Sequence, residues 1–276
     1  MWSWRKIWTG NRASDRPQRR IVSTERDVAL ERAIRDGEIE VRFQPQIVPR
    51  CGSIAGVEAL ARWTKVANPE ELFARAANAG LSQRLSRAIQ RAALRTAGAW
   101  RGPLSNLRIS INLLPGDLDC PGHDDWLLAE IAAAGLSPSR ITVEIVESAL
   151  LQDRPAVAAR LGRLRAAGVE VAVDDFGTGY ANLAYLTSLP LDAIKIDRAM
   201  VADLVGKNRD RIVVKAMMRL ARDLDLKVVV EGVESLAQLD LLVEWGCELY
   251  QGFLGAGAMT ELELERFVVA SNRVAA

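Results

Sequence analysis

Apolar and polar positions along the chain follow two alternating periods, which predict alternating strands and helices. Eight short apolar runs are typical of buried strands, and most are separated by stretches with an apolar residue every three or four positions, typical of amphipathic helices. Strands are predicted at residues 38–48, 53–63, 107–112, 141–145, 171–173, 193–196, 228–231 and 248–251. Helices are predicted at residues 24–35, 69–79, 81–100, 124–134, 156–167, 181–186, 209–224, 235–245 and 261–270, the first capped by Ser23 or Thr24.

The order of these elements predicts an α/β fold. Only residues 49–52 join the first two strands, and a parallel pair needs a crossover of roughly a dozen residues, so these two strands must be antiparallel. From there onwards strands and helices alternate over roughly 250 residues, which favours a TIM-like (β/α)8 barrel. The alternative is a doubly wound open sheet, although its glycine-rich first turn is not found in this sequence. We expect residues 23–276 to form one domain without an internal linker.

Composition adds few constraints to this picture. The chain has 276 residues, of which 36 are basic and 35 acidic, so its charge indicates neither a nucleic acid polymer nor an acidic partner. Its apolar runs are shorter than the roughly 20 residues that a membrane helix needs. The cysteines, Cys51, Cys120 and Cys247, form neither a close-spaced metal pattern nor an even disulfide set, and no secretion signal is recognised. We therefore expect a cytoplasmic protein.

Residues 1–22 form a basic, tryptophan-containing tail that differs from the predicted domain. Trp2, Trp4 and Trp8 lie among arginine and lysine residues, and Asp15 is the one acidic residue of the tail. We expect a disordered or partner-bound segment. The alternative is a peripheral membrane contact through residues 1–20, because indole rings favour the membrane interface and cations favour anionic lipids.

The single histidine, His123, narrows the chemistry that this chain can perform. It lies in a Pro-Gly-His-Asp-Asp turn and is predicted to be an exposed residue at the start of a helix. No motif around it supports a Ser-His-Asp triad, a Cys-His pair or a zinc site with several histidines. Any metal ion must therefore have oxygen ligands, which selects Mg²⁺, Mn²⁺ or Ca²⁺.

Hydrophilic residues recur at the C-terminal ends of the predicted strands, where barrel enzymes have their active sites. Asp174 and Asp175 follow the strand at residues 171–173 and precede a loop with two glycines. The other residues of this kind are Glu58, Asn112, Glu144, Lys195, Glu231 and Gln251. Each alone is explained by exposure to solvent or by a salt bridge. Together they predict one acidic pocket, whose repulsion a single lysine cannot balance and one or two divalent cations can.

An acidic pocket that holds two metal ions suits phosphodiester hydrolysis. Paired divalent ions bind a phosphate, lower the pKa of a bridging water and stabilise the leaving oxygen. We expect Lys195 to stabilise charge on the attacking water or on the transition state. Glu231 is expected to be either a metal ligand or the general base. These residues alone leave the identity of the phosphodiester open.

Sequence motifs around these residues resemble those of one family. The motifs are Phe43-Gln44-Pro45, Glu58-Ala59-Leu60 followed by Arg62-Trp63, Asn112-Leu113, Glu144-Ile145-Val146-Glu147, Asp-Asp-Phe-Gly-Thr-Gly-Tyr at residues 174–180, Lys195-Ile196-Asp197, Glu231-Gly232-Val233-Glu234 and Gln251-Gly252-Phe253. In this order and spacing, over residues 41–253, the sequence resembles the EAL-domain cyclic di-GMP phosphodiesterases, hydrolases of bacterial second-messenger signalling.

The resemblance implies a barrel whose first strand is antiparallel to the others, Mg²⁺ or Mn²⁺ as cofactor, a homodimer, and hydrolysis of cyclic di-GMP to linear pGpG. The implied ligands are Glu58, Asn112, Glu144 and Asp174 for the first metal ion, and Asp174, Asp175 and Glu231 for the second. The implied catalytic residues are Lys195, Glu231 and Gln251, and the implied substrate-binding residues are Gln44, Leu60, Arg62, Asp197 and Glu234. The residues implied to couple the metal site to the dimer interface are Glu147, Phe176, Gly177, Thr178 and Gly179.

The sequence departs from the family pattern at several places. Residues 64–68 form a shorter loop than usual, Ala77 replaces a usual glutamate, Val146 replaces a usual threonine, and residues 254–259 lack a usual proline. The short loop and the appended tail support a non-catalytic cyclic di-GMP receptor as the alternative function. None of these departures removes an implied metal ligand or Lys195. The sequence therefore favours an enzyme.

Overall fold

The first two strands form an antiparallel hairpin, as their short connection predicts. In this computed structural model, which describes residues 26–147, 154–177, 184–206 and 208–274, strand β1 is Glu40–Ile47 and strand β2 is Ile54–Arg62. Gln44 is opposite Glu58 in the register of the pair. The turn between the strands needs a residue in the left-handed conformation, which Gly52 supplies with a φ of 70°.

Six further strands complete a closed barrel in which neighbours in sequence are also neighbours in space. They are β3 (Arg108–Leu113), β4 (Ile141–Val146), β5 (Glu170–Phe176), β6 (Ala193–Ile196), β7 (Lys227–Val230) and β8 (Leu249–Tyr250). From β2 onwards each strand is parallel to the next, whereas β1 is antiparallel to both β2 and β8. The predicted TIM-like barrel with an antiparallel first strand is therefore confirmed, and the open sheet is excluded.

Helices surround the barrel and connect its parallel strands. They are α1 (Val28–Asp36), α2 (Pro69–Asn78), α3 (Ser82–Ala99), α4 (Pro115–Asp119), α5 (His123–Ala133), α6 (Arg154–Ala166), α7 (Ala184–Ser188), α8 (Arg198–Val201), α9 (Asn208–Asp223), α10 (Leu236–Trp245) and α11 (Glu261–Val274). Single 3-10 turns at Gly102–Leu104 and Pro138–Arg140 precede β3 and β4. The predicted helices are present, with ends that differ by a few residues.

Several local predictions need correction. Helix α1 begins later than predicted because Asp27 caps it, its carboxylate accepting a hydrogen bond from the Leu30 amide at 3.0 Å. The sequence pattern does not predict α4 or α8, since helices of five and four residues are too short to show a period. His123 is buried and not exposed; its Nδ1 atom lies 3.7 Å from Asp117 Oδ1 of α4, and its ring lies 5.2 Å from the Trp126 ring between centroids.

The main hydrophobic core lies between the sheet and the helices. Alternate residues of a strand face opposite sides of the sheet. One set is apolar and buried against the helices, as are Ile109, Val143, Val171 and Ile194. The other set faces the inside of the barrel, where polar side chains collect at the C-terminal ends of the strands. This alternation places the polar side chains of different strands within reach of one another.

Part of the predicted organisation lies outside the described residues. This applies to the tail at residues 1–22 and to Thr178 and Gly179 of the loop after β5. Across the ranges that the structure does describe, no helix combines the length and the apolar character needed to cross a bilayer. The boundary between the tail and the barrel domain stays a prediction.

The end of β8 makes a close backbone contact that requires a glycine. A Cβ atom at Gly252 would lie 2.2 Å from the Val233 carbonyl oxygen, so a side chain there has no space. We predict that Gly252→Ala lowers the free energy of unfolding by roughly 1–3 kcal/mol, because the two backbone segments must separate. Urea denaturation measures this change. Gly257→Ala is the matched control, because its Cβ would lie 3.5 Å from the nearest atom. Equal stability of the two variants would contradict the prediction.

Candidate metal centre

Three carboxylates from neighbouring strands meet inside the mouth of the barrel. Glu58 belongs to β2, Glu144 to β4 and Asp174 to β5. Each offers one oxygen, and these oxygens lie within 4.8 Å of one another. All three side chains are buried. The parallel register of the strands produces this meeting, since it aligns Asn112 of β3 with Glu144 and Val146 of β4 with Asp174.

Lys195 lies at the centre of the carboxylates. Its Nζ atom is 2.7 Å from Glu144 and Glu231 and 3.2 Å from Glu58 and Asp174, measured to the nearest carboxylate oxygen. The side chain is fully buried. Burial disfavours its charge, but the four surrounding carboxylates outweigh this effect and raise the pKa of Lys195 well above its ordinary value. The ammonium group is therefore protonated at neutral pH.

One lysine does not compensate all of this negative charge. Burial, followed by the proximity of Glu58, raises the pKa of Glu144 to about 8. Burial also raises the pKa values of Asp174 and Glu231. For Glu58, the opposing effects of Lys195 and of hydrogen bonds from two amides outweigh burial and lower its pKa. Without a further cation, several of these groups must hold protons to remain buried.

Two amide side chains orient the carboxylates. Asn112 Nδ2 donates a hydrogen bond to Glu58 Oε1 at 3.1 Å. Gln251 Nε2 donates to Glu58 Oε2 at 2.7 Å and to Glu231 Oε1 at 3.1 Å. Gln251 Oε1 is buried and has no hydrogen-bond partner among the described residues. A buried carbonyl oxygen of this kind is suited to a bound cation or to its water ligands.

An irregularity in β5 brings Asp175 to the site. The register of β5 with β6 shifts between Val173 and Phe176, and Asp175 has a φ of 57°, which is rare for a residue with a side chain. Its amide donates to Asp174 Oδ1 at 3.0 Å. Burial and the neighbouring carboxylates of Asp174 and Asp197 raise the pKa of Asp175 to about 8. Strand alternation would separate two adjacent aspartates, and the bulge keeps both of them buried beside the site.

The donor set fits a hard divalent cation. Each of Glu58, Glu144, Asp174, Asp175 and Glu231 supplies carboxylate oxygens, and Mg²⁺ and Mn²⁺ bind such oxygens. The negative charge exceeds what Lys195 balances, so a cation would lower the raised pKa values and stabilise the folded chain. Lys195 supplies part of this compensation, because it contacts the same three carboxylates that form the compact oxygen group.

A cleft leads from this centre to helices α2 and α3. It encloses about 750 Å³ of space, part of it open to solvent. Glu58, Asp174, Glu231 and Gln251 form its inner end, and Phe73, Ile89 and Leu114 are among the apolar residues of its outer walls. Polar groups at one end and apolar walls elsewhere are typical of a small-molecule site.

The structure distributes the predicted substrate-binding residues around this cleft. Gln44 and Leu60 line it, and Gln44 Nε2 donates to the Ala256 carbonyl at 3.2 Å. Arg62 and Glu234 are exposed at the ends of their segments. Asp197 is buried beside Asp175 and caps α8 through the Ala199 amide at 2.9 Å. The structure thus places Gln44 and Leu60 in the wall of the cleft and Asp197 beside Asp175 of the metal centre.

The predicted coupling residues lie next to the site. Glu147 and Phe176 are buried at the ends of β4 and β5. Gly177 has a φ of 92° and packs against α9, where a Cβ atom would lie 2.6 Å from Met217 Cε. A side chain at this position would require the flexible end of Met217 to move and would be strained by the positive φ.

Sequence motifs alone do not identify a group of polar residues beside Asn112 as part of the site. Ser86 and Gln90 of α3 and Asp117 of α4 are buried there and hydrogen-bonded to one another. The available signal was the position of Ser86 and Gln90, four residues apart in a helix between the buried apolar residues Leu85 and Leu94. Polar residues on the buried face of a helix indicate a specific partner.

The raised pKa values predict how the stability of the metal-free chain depends on pH. Glu144 and Asp175 titrate at about 8 when folded, so the folded chain holds protons that the unfolded chain has released. The free energy of unfolding should therefore fall from pH 6.5 to 8. Starting at pH 6.5 excludes most of the opposite contribution of His123, whose pKa burial lowers below its ordinary 6.5.

Urea denaturation in the presence of a chelator measures this dependence. Glu144→Gln should reduce the slope, because it removes one of the groups that titrate. Added Mn²⁺ should stabilise the chain more at pH 8 than at pH 6.5, since binding then displaces fewer protons. Stability that is constant or increasing over this range would contradict the assignment of protonated carboxyl groups.

A comparison of this chain with known proteins identifies its family. A sequence profile of the EAL domain matches residues 27–258. The cyclic di-GMP phosphodiesterase NbdA of Pseudomonas aeruginosa is 35% identical over 246 residues, which cover 87% of this chain and 31% of that protein. This chain spans about one third of the length of the curated relatives that it matches first.

Solved structures show the same fold. The PaMucR phosphodiesterase, in a complex with c-di-GMP, superimposes with a TM-score of 0.80 at 33% identity, covering 85% of this chain and 97% of that one. Klebsiella pneumoniae BlrP1, in a complex with manganese and cyclic di-GMP, gives a TM-score of 0.74 at 33% identity, covering 80% and 56%. On the family profile and these relatives, the chain belongs to the EAL domain family.

Proposed function

We propose that this chain is a metal-dependent phosphodiesterase that hydrolyses cyclic di-GMP to linear pGpG. The observation that carries the proposal is the buried set of four carboxylates around Lys195 at the inner end of an open cleft. Such a set is costly to bury unless it binds cations, and divalent cations at the end of an open cleft bind phosphate esters. The names of NbdA and of the PaMucR complex support cyclic di-GMP as the substrate.

Two hard divalent ions, Mg²⁺ or Mn²⁺, are the proposed cofactors. Glu58, Asn112, Glu144 and Asp174 would hold the first ion, and Asp174, Asp175 and Glu231 the second. When bound, such a pair polarises the phosphate and lowers the pKa of water. The all-oxygen donor set supports this choice, as does the manganese in the BlrP1 complex.

The side chains of the site stabilise and orient the reacting groups. Hydrolysis adds water across one P–O bond, and negative charge increases on the phosphate oxygens in the transition state. The Lys195 ammonium, held by four carboxylates, is a fixed donor for the attacking water or for that charge. Gln251 holds Glu58 and Glu231 in their orientations. Glu231 is either a ligand of the second ion or the base that accepts the proton of the water.

The cleft accommodates the nucleotide in this proposal. Gln44 and Leu60 would contact it from the walls, and Arg62 would bind a phosphate from the exposed end of β2. Asp197 and Glu234 would contact it from the segments after β6 and β7. Apolar walls are suited to the flat faces of the bases.

The proposal also includes the oligomeric state of the domain, its location and the role of the N-terminal tail. We propose a cytoplasmic homodimer in which Glu147 and the loop at residues 176–179 couple the interface to the metal site. The contact of Gly177 with α9 supports this coupling. Residues 1–22 are proposed as a tail that is separate from the domain at residues 23–276 and contacts a partner or a membrane surface.

A receptor that binds cyclic di-GMP without hydrolysing it is the second candidate. The observation that favours it is the short connection between β2 and α2, where Lys65 is held by Glu38 at 2.8 Å and Arg62 remains exposed. A short connection at this point would supply fewer contacts to the part of the nucleotide that is distant from the metal centre. The intact acidic set favours the enzyme, because a receptor has no need of it.

A nucleotide assay distinguishes the two candidates. The purified chain with Mg²⁺ should convert cyclic di-GMP to pGpG, and Asp174→Asn should reduce turnover by roughly 100-fold or more, the loss typical when one electrostatic group is removed from a preorganised site. Asp125→Asn is the matched control, since Asp125 is exposed on α5. Tight binding of cyclic di-GMP without product would support the receptor. Unchanged turnover in Asp174→Asn would contradict the role of that residue.

Removal and replacement of the metal give an independent prediction. A chelator should abolish turnover, and Mg²⁺ or Mn²⁺ should restore it. Ca²⁺ should restore little activity, because its longer and less directional bonds hold the water less rigidly. Product release measured by chromatography at equal concentrations of each ion tests this order. Full turnover in the presence of the chelator would exclude the metal-dependent mechanism.

A further inference from the structure

Strands β2 and β3 separate close to the metal centre. Their paired residues end at Glu58 opposite Ser110. Beyond this pair β2 continues alongside β1 as far as Arg62, and β3 continues alongside β4 as far as Leu113. The cleft opens between the separated ends, since residues of both strands line it. Asn112 therefore lies beyond the last β2 partner of its strand.

Helix α3 supplies the hydrogen bond that β2 does not. Gln90 Nε2 donates to the Asn112 carbonyl oxygen at 3.0 Å and to Ser86 Oγ at 2.9 Å. Ser86 and Gln90 are four residues apart and share one face of α3. Gln90 is only 1% exposed, whereas Asn112 is partly buried and lines the cleft.

Asp117 fixes the orientation of the Gln90 amide. Its Oδ2 atom accepts hydrogen bonds from Ser86 Oγ at 2.5 Å, from Gln90 Nε2 at 3.2 Å and from the Leu114 amide at 2.9 Å. Because Asp117 and the Asn112 carbonyl only accept hydrogen bonds, the NH₂ group of Gln90 must face them. The Ser86 hydroxyl donates to Asp117 and accepts from Gln90, so every member of this group has a defined direction.

We propose that Gln90 is a positioning residue for Asn112, and through it for the first metal ion. This inference rests on the proposed metal-dependent function. Asn112 is held at its side chain by Glu58, at 3.1 Å, and at its backbone by Gln90. Loss of the backbone contact leaves the end of β3 held by β4 alone on the side away from the cleft, so the distances from the Asn112 amide to Glu58 and Glu144 are less tightly fixed. A ligand that must be ordered upon binding lowers the affinity for the ion.

Gln90→Met tests the inference, because methionine keeps the length of the side chain and removes its hydrogen bonds. Mn²⁺ binding measured by titration calorimetry should weaken by about 10-fold, the lower end of the range for residues that orient metal ligands. Turnover should fall at limiting Mn²⁺ and recover when the Mn²⁺ concentration is raised. A purely structural role would lower the melting temperature without this dependence on the ion.

Gln238→Met is the matched control. Gln238 of α10 is also buried, and its Nε2 atom donates to a backbone carbonyl, that of Val201, at 3.0 Å. This substitution should lower stability without changing Mn²⁺ affinity. Ser86→Ala removes one partner of the Gln90 amide and should weaken Mn²⁺ binding by less than Gln90→Met. It provides the test if Gln90→Met fails to fold.

Three results would overturn the inference, and they are distinguishable. Mn²⁺ affinity equal to that of the parent in folded Gln90→Met, or in Ser86→Ala if only that variant folds, excludes the positioning role. An equal loss of affinity in Gln238→Met shows that the effect follows from general destabilisation. Absence of Mn²⁺ binding in the parent chain overturns the proposed function and this inference together, whereas the first two results leave the proposed function intact.

Discussion

The charge balance around Lys195 is the constraint on which the rest of this structure depends. Four buried carboxylates contact one ammonium group, so removing the lysine would leave buried negative charges without their partner. A buried ion that loses its partner costs several kcal/mol, which is a large part of the stability of a single domain. The barrel must therefore hold these side chains at fixed distances. A closed ring of strands does so, because no strand can shift without breaking the ladders on both of its sides.

The antiparallel first strand is compatible with the need to hold these side chains at fixed distances. Because β1 runs against its neighbours, the turn after it lies at the end of the barrel opposite the carboxylates, and β1 contributes to the site through the middle of the strand. Gln44, paired with Glu58, is the residue that it presents to the cleft. The mouth is thus bordered by loops from the parallel strands, and β1 closes the ring without adding a loop over the site.

Much of the fold and part of the site could be predicted from the sequence, for physical reasons that are visible in particular residues. The period of two along the strands places polar residues such as Glu144 and Lys195 among apolar neighbours, and the four-residue connection at residues 49–52 determines the direction of β1. The burial of His123 is not predictable from the sequence, because it depends on how α5 packs beside α4, where His123 Nδ1 lies 3.7 Å from Asp117 Oδ1. The left-handed conformation of Asp175 also leaves no trace in a pattern of hydrophobicity.

The polar group beside Asn112, formed by Ser86, Gln90 and Asp117, shows a different limit of sequence reasoning. Each member, viewed alone, is an ordinary surface residue. Only the folded chain brings Gln90 of α3 together with the end of β3 and with α4, which lie 22 and 27 residues further along the sequence. Residues that carry out chemistry share motifs with a family, whereas residues that hold them in place are recognised by their contacts.

The same separation of strands creates the cleft and the need for Gln90. A barrel whose β2 and β3 stayed paired to their ends would have no opening beside Glu58, and its substrate could approach only along the barrel axis. Opening the wall removes β2 as a partner for the segment of β3 around Asn112, which keeps only β4 at its side. The side-chain amide of Gln90 on α3 satisfies the Asn112 carbonyl from the wall of the cleft, which Gln90 also lines. Access for a substrate and rigidity of a ligand are opposing requirements on one segment of β3, and the hydrogen bond from Gln90 allows both.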